Sequence, residues 1–414
     1  MSDHLPAKPW MTEPKVSAVI AALRAAGGEV RFVGGCVRNA LLKFPVDDID
    51  LATTLAPDAV MAALGAAKIK VAPTGLDHGV VTAIVSGTPF EVASLRRDVE
   101  TDGRRAVVAF TTDWAEDAAR RDFRLNALYA EPDGTLHDPT GGGLADARAG
   151  RVVFVGDAET RIREDCLRIL RFFRFQAWFG RGEPDAAALT ACGRLKDSLT
   201  TLPAERISKE FLKLLAAEDP RAVIRLMAAS GVLSLVLPKT QGLEAFERLV
   251  GIQTEQLFEV DAGIRLAALL RPDPEAGRAV AKALRLSNDL RDRLVAALGD
   301  TPIINSYLSP REARRAIYRL GHVAFCDRVK LGWSKAERTA TTPQWRALLA
   351  LAGSWNAPPF PLSGEEVVHA GVPEGPMVGR VLKEVEAWWI DHDFIDDKFS
   401  AIERLKAVAQ GLAY

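Results

Sequence analysis

Cysteine is scarce in this chain, with four in 414 residues. They stand apart at Cys36, Cys166, Cys192 and Cys326, with no C-x-x-C pair. That spacing argues against a structural zinc site and points to a reducing compartment with small buried thiols. A long apolar run is missing too. The nearest, from Val223 to Leu237, is broken at once by Arg225, so no membrane span is expected. Residues 1–15 have neither an apolar stretch nor an arginine-rich amphipathic pattern, so no export or import signal is read there and a cytoplasmic protein is expected. Charge of one sign is lacking: 53 basic residues face 54 acidic ones, a net charge of −1. A globally basic nucleic-acid coat is thereby excluded, but a local patch is not. There is no fixed-period repeat and no low-complexity tract.

What is present is an ordinary globular composition, 48% hydrophobic and 26% charged, long enough for several cores. The first 150 residues alternate between strand-like and helix-like segments. Val30–Val33 reads as a strand ending at Gly34-Gly35, Cys36–Lys43 as a helix, Asp48–Thr53 as a strand, and Pro57–Ala67 as a helix opened by proline. Three β-rich runs follow at Ile69–Pro73, Gly79–Ser86 and Pro89–Leu95, the last two joined by a turn at Gly87. Arg96–Arg105 is charged, carries Gly103 and reads as an exposed loop before a strand at Ala106–Phe110. From Asp157 onward the apolar period becomes 3.6, with helices expected at Ala222–Leu235, Ala262–Leu270, Gly277–Leu298 and Pro310–Leu331. The fold class is therefore α+β, a mixed-sheet head at 1–150 followed by helical segments at 151–220 and 221–414.

Three groups of residues carry chemistry. The first is Gly34-Gly35 with Arg38, then Asp48 and Asp50. Glycines between strand and helix let main-chain N–H groups approach a phosphate, and the helix N-terminus favours an anion. Residues i and i+2 of a strand share a face, so Asp48 and Asp50 repel unless a divalent cation lies between them. Glu91, on a neighbouring strand-like run, is a third candidate oxygen ligand, and Mg²⁺ suits a few carboxylates plus substrate phosphates. Surface acids at a sheet edge would show the same pair. The second group, Arg120-Arg121-Asp122 with Asn126, suits triphosphate and ribose hydroxyls, or equally a surface ion-pair cluster. The third is Glu164-Asp165 with Arg168, Arg171 and Arg174. On one continuous helix the first four fall within about 120° of one face. That stripe fits a wet, ligand-binding cleft or a plain solvent face.

In order and spacing, these motifs resemble the class II CCA-adding tRNA nucleotidyltransferases and the bacterial poly(A) polymerases, which share a DNA-polymerase-beta-like head. The resemblance rests on Gly34-Gly35-Cys-Val-Arg38, Asp48-Ile-Asp50, Arg120-Arg121-Asp122-Phe-Arg-Leu-Asn126 and Asp138-Pro139-Thr-Gly-Gly. It continues through Arg163-Glu164-Asp165-x-x-Arg168-x-x-Arg171-x-x-Arg174 and Ala204-Glu205-Arg206-Ile-x-x-Glu210. Beyond Glu210 it is loose. Pro361-Leu-Ser-Gly, Gly375-Pro-Met-Val-Gly379 and Trp388-Trp389 also fit two capped helices around a turn.

The resemblance implies a nucleotidyltransferase head, then a neck, a body and a tail. It implies Mg²⁺ held by Asp48 and Asp50, triphosphate contacts from Gly35, Arg38 and Arg121, and ribose orientation by Asp122 and Asn126. Asp165 and Arg168 would read the base, backed by Arg171 and Arg174. Arg96–Arg105 would be the family's flexible loop and Gly141–Gly143 a hinge. The implied substrates are tRNA, CTP and ATP, with no membrane or protein partner. Poly(A) synthesis on the same head is the alternative, which usually goes with a more basic chain. Arg311, Arg314, Arg315 and Arg319 are candidate RNA phosphate contacts, though their spacing also suits a solvent face. A third reading is a non-catalytic RNA-binding protein that keeps the fold. The chain departs from the family pattern at Asn39, where Asp is usual, and in a Gly run one residue longer after Pro139. Leu269–Asp273 lacks the histidine of a His-Asp phosphohydrolase, and Asp391-His392-Asp393 has no partner histidines nearby, so no phosphatase activity is expected.

Overall fold

A computed structural model describes residues 4–6, 8–76, 79–101, 106–238, 240–336, 339–394 and 397–411. Two compact units emerge, Met1–Pro238 and Lys239–Tyr414. The segment 151–220 thus belongs to the same unit as the head, and that unit extends to Pro238.

The first unit is built on a seven-stranded sheet of the described residues, in the order β3-β4-β5-β2-β1-β8-β9. The strands are β1 (Val30–Val33), β2 (Asp50–Thr53), β3 (Lys70–Gly75), β4 (Val80–Val85), β5 (Thr88–Ser94), β8 (Tyr129–Ala130) and β9 (Leu136–His137). A separate hairpin pairs β6 (Arg96–Thr101) with β7 (Ala106–Phe110). The sheet is mixed: β2 and β5 run parallel, opposing Asp50 to Glu91, while the other pairings are antiparallel. Helices α1 (Pro14–Ala25), α2 (Gly35–Leu42), α3 (Pro57–Ala66), α4 (Trp114–Ala119) and α5 (Gly143–Ala149) complete the head. Then come α6 (Ala158–Glu164), α7 (Arg168–Phe179), α8 (Ala186–Leu195), α9 (Ala204–Leu215), α10 (Arg221–Ala229) and α11 (Val232–Val236). Phe123 joins sheet to helices: its ring lies 4.9 Å from Phe154 and 5.0 Å from Phe175 of α7. Aromatic pairs at such spacings add to plain area burial.

The second unit contains α12 (Glu244–Glu255), α13 (Ala262–Ala268), α14 (Pro274–Ala283), α15 (Asn288–Ala297), α16 (Pro310–Leu320), α17 (His322–Lys335) and α18 (Thr342–Ser354). Its last helices are α19 (Gly364–His369), α20 (Pro376–Asp391) and α21 (Lys398–Gly411). One core gathers Ile317, Phe325, Val329, Trp333 and Trp345; a second gathers Val367, Val381, Val385, Ala401 and Leu405.

Several elements differ from the sequence reading. Strand β2 starts at Asp50, so Asp48 precedes it rather than sharing its pleat. Arg96–Thr101 is a strand, not a loop; Gly103 lies outside the described residues. Three long helices are each two. Gly231, at φ 75°, separates α10 from α11, and Gly321, at φ 78°, separates α16 from α17. Ser287 caps α15 afresh after α14. Each half keeps apolar buried residues of its own, Val223, Ile224 and Met227 in α10 and Val232, Leu233 and Val236 in α11, so the apolar pattern does not mark the break. The stretch 164–174 is interrupted as well: α6 ends at Glu164, Asp165 is extended at φ −150°, and α7 starts at Arg168. Gly143, read as part of a hinge, opens α5 against the Arg124 main chain, where a Cβ would meet the Arg124 carbonyl oxygen at 2.5 Å.

Candidate active site

The site lies where β1, β2, α2, the 120–126 segment and α7 meet. Strand β1 turns into α2 through Gly34, whose φ of 68° and ψ of −116° suit only glycine. Its N–H donates to the Leu128 carbonyl at 3.2 Å. The turn opens α2 at Gly35 and places Arg38 one turn in.

The acidic side comprises Asp48, Asp50 and Glu91. Asp50 is partly buried, and burial together with the nearby Glu91 and Asp48 charges raises its carboxyl to about 6. Crowded acids of this kind are stabilised by a cation, and two or three carboxylates with substrate phosphates match the donor set that Mg²⁺ takes. Among the described residues no three His, Cys, Asp or Glu side chains form a ready metal cage.

The basic side is an ordered network. Arg38 donates to Asn126 Oδ1 at 2.5 Å and lies over the Phe179 ring at 4.2 Å. Burial, with Arg174 and Arg171 nearby, outweighs the opposing pull of Asp122 and lowers Arg38 to about 10. Asn126 in turn donates to Asp122 Oδ1 at 2.9 Å. Asp122 also accepts its own neighbour's N–H, from Phe123 at 2.8 Å, and takes Arg171 on Oδ2, with Nε at 2.8 Å. Burial alone would raise this carboxyl, but Arg171 and Asn126 hold it below the usual carboxylate range. Arg174 pairs with the buried Glu210 at 2.5 Å.

Two features were not visible as roles in the sequence. Buried Asp117 accepts from Arg120 at 2.7 Å, from Arg121 at 2.9 Å and from the Tyr129 hydroxyl at 2.7 Å. It also accepts the Arg96 N–H at 3.3 Å. Its i,i+3 and i,i+4 spacing to the two arginines was the available signal. Burial opposes, but Arg121 and Arg120 lower its carboxyl to about 2. The second is Arg206, which donates to both oxygens of Asp165 at 3.0 and 3.2 Å. Arg168 is held by Glu164 at 2.6 Å and by the carbonyls of Arg161 at 2.8 Å and Arg120 at 3.3 Å. Asp165 and Arg168 thus flank the α6–α7 break, each fixed by a different partner.

Residues 30–153 match the sequence profile of the poly A polymerase head domain, and residues 183–243 that of the probable RNA and SrmB-binding site of polymerase A. Mitochondrial CCA tRNA nucleotidyltransferase 1 of Mus musculus is 30% identical over 387 residues, 91% of this chain and 86% of its own. The CCA-adding enzyme of Lacticaseibacillus paracasei is 30% identical over 389 residues, 91% and 92% of the two chains. This chain belongs to the class II CCA-adding tRNA nucleotidyltransferase family. The solved CCA-adding enzyme of Bacillus stearothermophilus in complex with CTP has the same fold, at TM-score 0.75, 24% identity and 96% and 97% coverage.

Within this CCA-adding family member, the proposed RNA-contact arginines all lie on α16 but differ in their surroundings. Arg314 is bound to Asp393, with Nε at 2.9 Å, and Arg315 to Asp391 at 2.7 Å. Arg311 and Arg319 are exposed. His392 Nδ1 donates to the Trp388 carbonyl, 2.8 Å away, and its ring lies 4.5 Å from the Trp388 ring. Asp391 and Asp393 thus join the end of α20 to α16, while His392 packs back on α20 itself.

Proposed function

We propose that this enzyme adds C, C and A to the 3′ end of tRNA from CTP and ATP, without a nucleic-acid template, releasing pyrophosphate. The observation that carries this is the opposition of Asp50 and its acidic neighbours to an arginine network, in a chain aligned along most of its length with CCA-adding enzymes.

Asp48 and Asp50 would hold Mg²⁺, with Glu91 as a third oxygen. The ion, when bound, supplies a lowered pKa at the attacking hydroxyl and charge neutralisation at the phosphates. Arg38 and Arg121 bind the triphosphate, and the α2 N-terminus at Gly35 offers main-chain N–H groups to it. Asn126 stands at the sugar. Asp122 acts largely through its neighbours, since its oxygens already carry Asn126 and Arg171. Arg171 and Arg174 back the reading helix and add positive charge.

Asp165 and Arg168 read the base. Cytosine and adenine each carry an exocyclic amine beside an acceptor ring nitrogen. A carboxylate accepts from the amine and a guanidinium donates to the nitrogen. Guanine and uracil put a carbonyl opposite the carboxylate and leave buried groups unpaired, at about 1–3 kcal/mol each. Arg206 and Glu164 fix the two readers in place. Arg311 and Arg319, with Arg314 and Arg315 as salt-bridged neighbours, offer phosphate contacts for the tRNA. A cytoplasmic site of action is part of this reading. No helix among the described residues is long and apolar enough to cross a membrane.

The test is extension of a tRNA lacking its last three nucleotides, with Mg²⁺. Two additions are expected with CTP alone, three with CTP and ATP together, and none with GTP or UTP. A long ladder with ATP alone would move the enzyme to poly(A) synthesis. Absence of any extension would sink the catalytic reading.

A further inference from the structure

Arg38 differs from the other arginines of the site in its partners. Arg121, Arg168, Arg171 and Arg174 each lie on a carboxylate. The hydrogen bonds of Arg38 instead go to two neutral amides. Besides Asn126, its Nε and Nη2 donate to Asn39 Oδ1 at 3.1 and 2.8 Å. Asn39 is also the position at which the chain departs from the Arg-Asp pattern of the first motif.

The Asn39 amide faces the other way. Its Nδ2 donates to the Pro45 carbonyl at 2.8 Å, while its main-chain carbonyl accepts from Phe44 N–H at 2.9 Å. Residue 39 therefore grips the turn that leaves α2 through left-handed Lys43 and runs on to Asp48. The chemistry fixes the orientation of the amide, because a guanidinium only donates and a carbonyl only accepts. A carboxylate at 39 could serve Arg38 but not Pro45. It would also offset the Arg38 charge and set an oxygen against the Pro45 carbonyl.

We propose that Asn39 is a positioning residue for nucleotidyl transfer: its oxygen orients Arg38 while leaving the cation to the triphosphate, and its amide fastens the turn leading to Asp48. This rests on the nucleotide site proposed above and adds to it a divided role for one side chain.

Asn39→Asp and Asn39→Ala separate the parts. Three quantities decide: CTP affinity by calorimetry without tRNA and with EDTA, hydrogen exchange of the Val46, Asp47 and Asp48 amides, and melting temperature. Asn39→Asp should weaken CTP binding roughly tenfold, because Arg38 gains a charged partner. Asn39→Ala should weaken it less, roughly threefold, because only orientation is lost. Both should speed exchange at 46–48 severalfold, with melting temperatures close to that of the parent. Unchanged CTP affinity in both variants would overturn the Arg38 half, and unchanged exchange the tether half. A lowered melting temperature with unchanged affinity would reduce Asn39 to a structural residue and overturn the proposal. If the parent protein failed to bind CTP, the nucleotide reading and the Arg38 half would fall together, while the exchange comparison would still decide the tether.

Discussion

Asp50, half-buried, and Asp117, fully buried, are both carboxylates near arginines, yet their surroundings drive them in opposite directions. Asp50 has acids for close company and is raised to about 6, whereas Asp117 gathers two guanidiniums and is lowered to about 2. The first is a crowding of charge that a bound cation would relieve; the second is a structural clamp. Asp50→Ala should reduce tRNA extension by at least about 10³-fold, since charge neutralisation at the phosphates is lost. Retention of CTP binding in EDTA would show that the loss is chemical. Asp117→Asn should lower stability by about 3 kcal/mol, because Arg120 and Arg121 lose a buried partner. The pH dependence has a definite sign. The folded carboxyl lies below its unfolded value of 3.8, so its contribution is complete above that value. It is lost as pH falls from 3.8 through about 2. Urea titrations between pH 5 and 2 should find the parent losing up to about 2 kcal/mol more than Asp117→Asn.

At the scale of elements, helix breaks decide where side chains point. Gly231 and Gly321 hold left-handed or otherwise positive φ at the joints of α10 with α11 and of α16 with α17. Gly231→Ala should cost about 1 kcal/mol, measurable as a shift in urea midpoint, while alanine at Gly65, inside α3, should not destabilise. From Val30 to Leu95 the head was readable because its strands are short apolar runs between glycine and proline signals, and Gly34-Gly35 announced the turn into α2; the charged strand β6 and the two-residue strands β8 and β9 carry no such pattern. The breaks were not readable. Arg161–Phe179 keeps its apolar period across the interruption at Asp165, whose side chain is held from far along the chain. Arg206, 41 residues away, holds the Asp165 carboxylate. Motif spacing therefore singled out Asp165 and Arg168 but not what fixes them, and it passed over Asp117, beside which the fold brings Tyr129 and Arg96. Arg314 and Arg315 could be read as exposed only because Asp391 and Asp393 lie far off in sequence.

At the scale of the whole molecule, a net charge of −1 makes RNA affinity a matter of local patches. Arg311→Ala and Arg319→Ala should each reduce the salt slope of tRNA binding by about 1, read from affinity against log salt concentration. Arg314→Ala should instead lower stability, by releasing Asp393 from α16. The division at Pro238 carries an expectation of its own: residues 1–238 expressed alone should melt cooperatively and bind CTP, since the sheet, α7 and α9 all lie within them.

One joint of the site is made by main chain. The Arg120 carbonyl receives both Arg161 and Arg168, so the segment that carries Arg121 is tied to Arg168 through a peptide oxygen. Every amino acid possesses that oxygen. A scan of single substitutions along the chain would therefore leave the acceptor in place at residue 120, and would record only the loss of its side chain. The link would be invisible to genetics at that position, and drift in sequence could not erode it there. At residue 120 itself, only chemical synthesis, with an ester in place of the amide to weaken the carbonyl as an acceptor, would bring it into view.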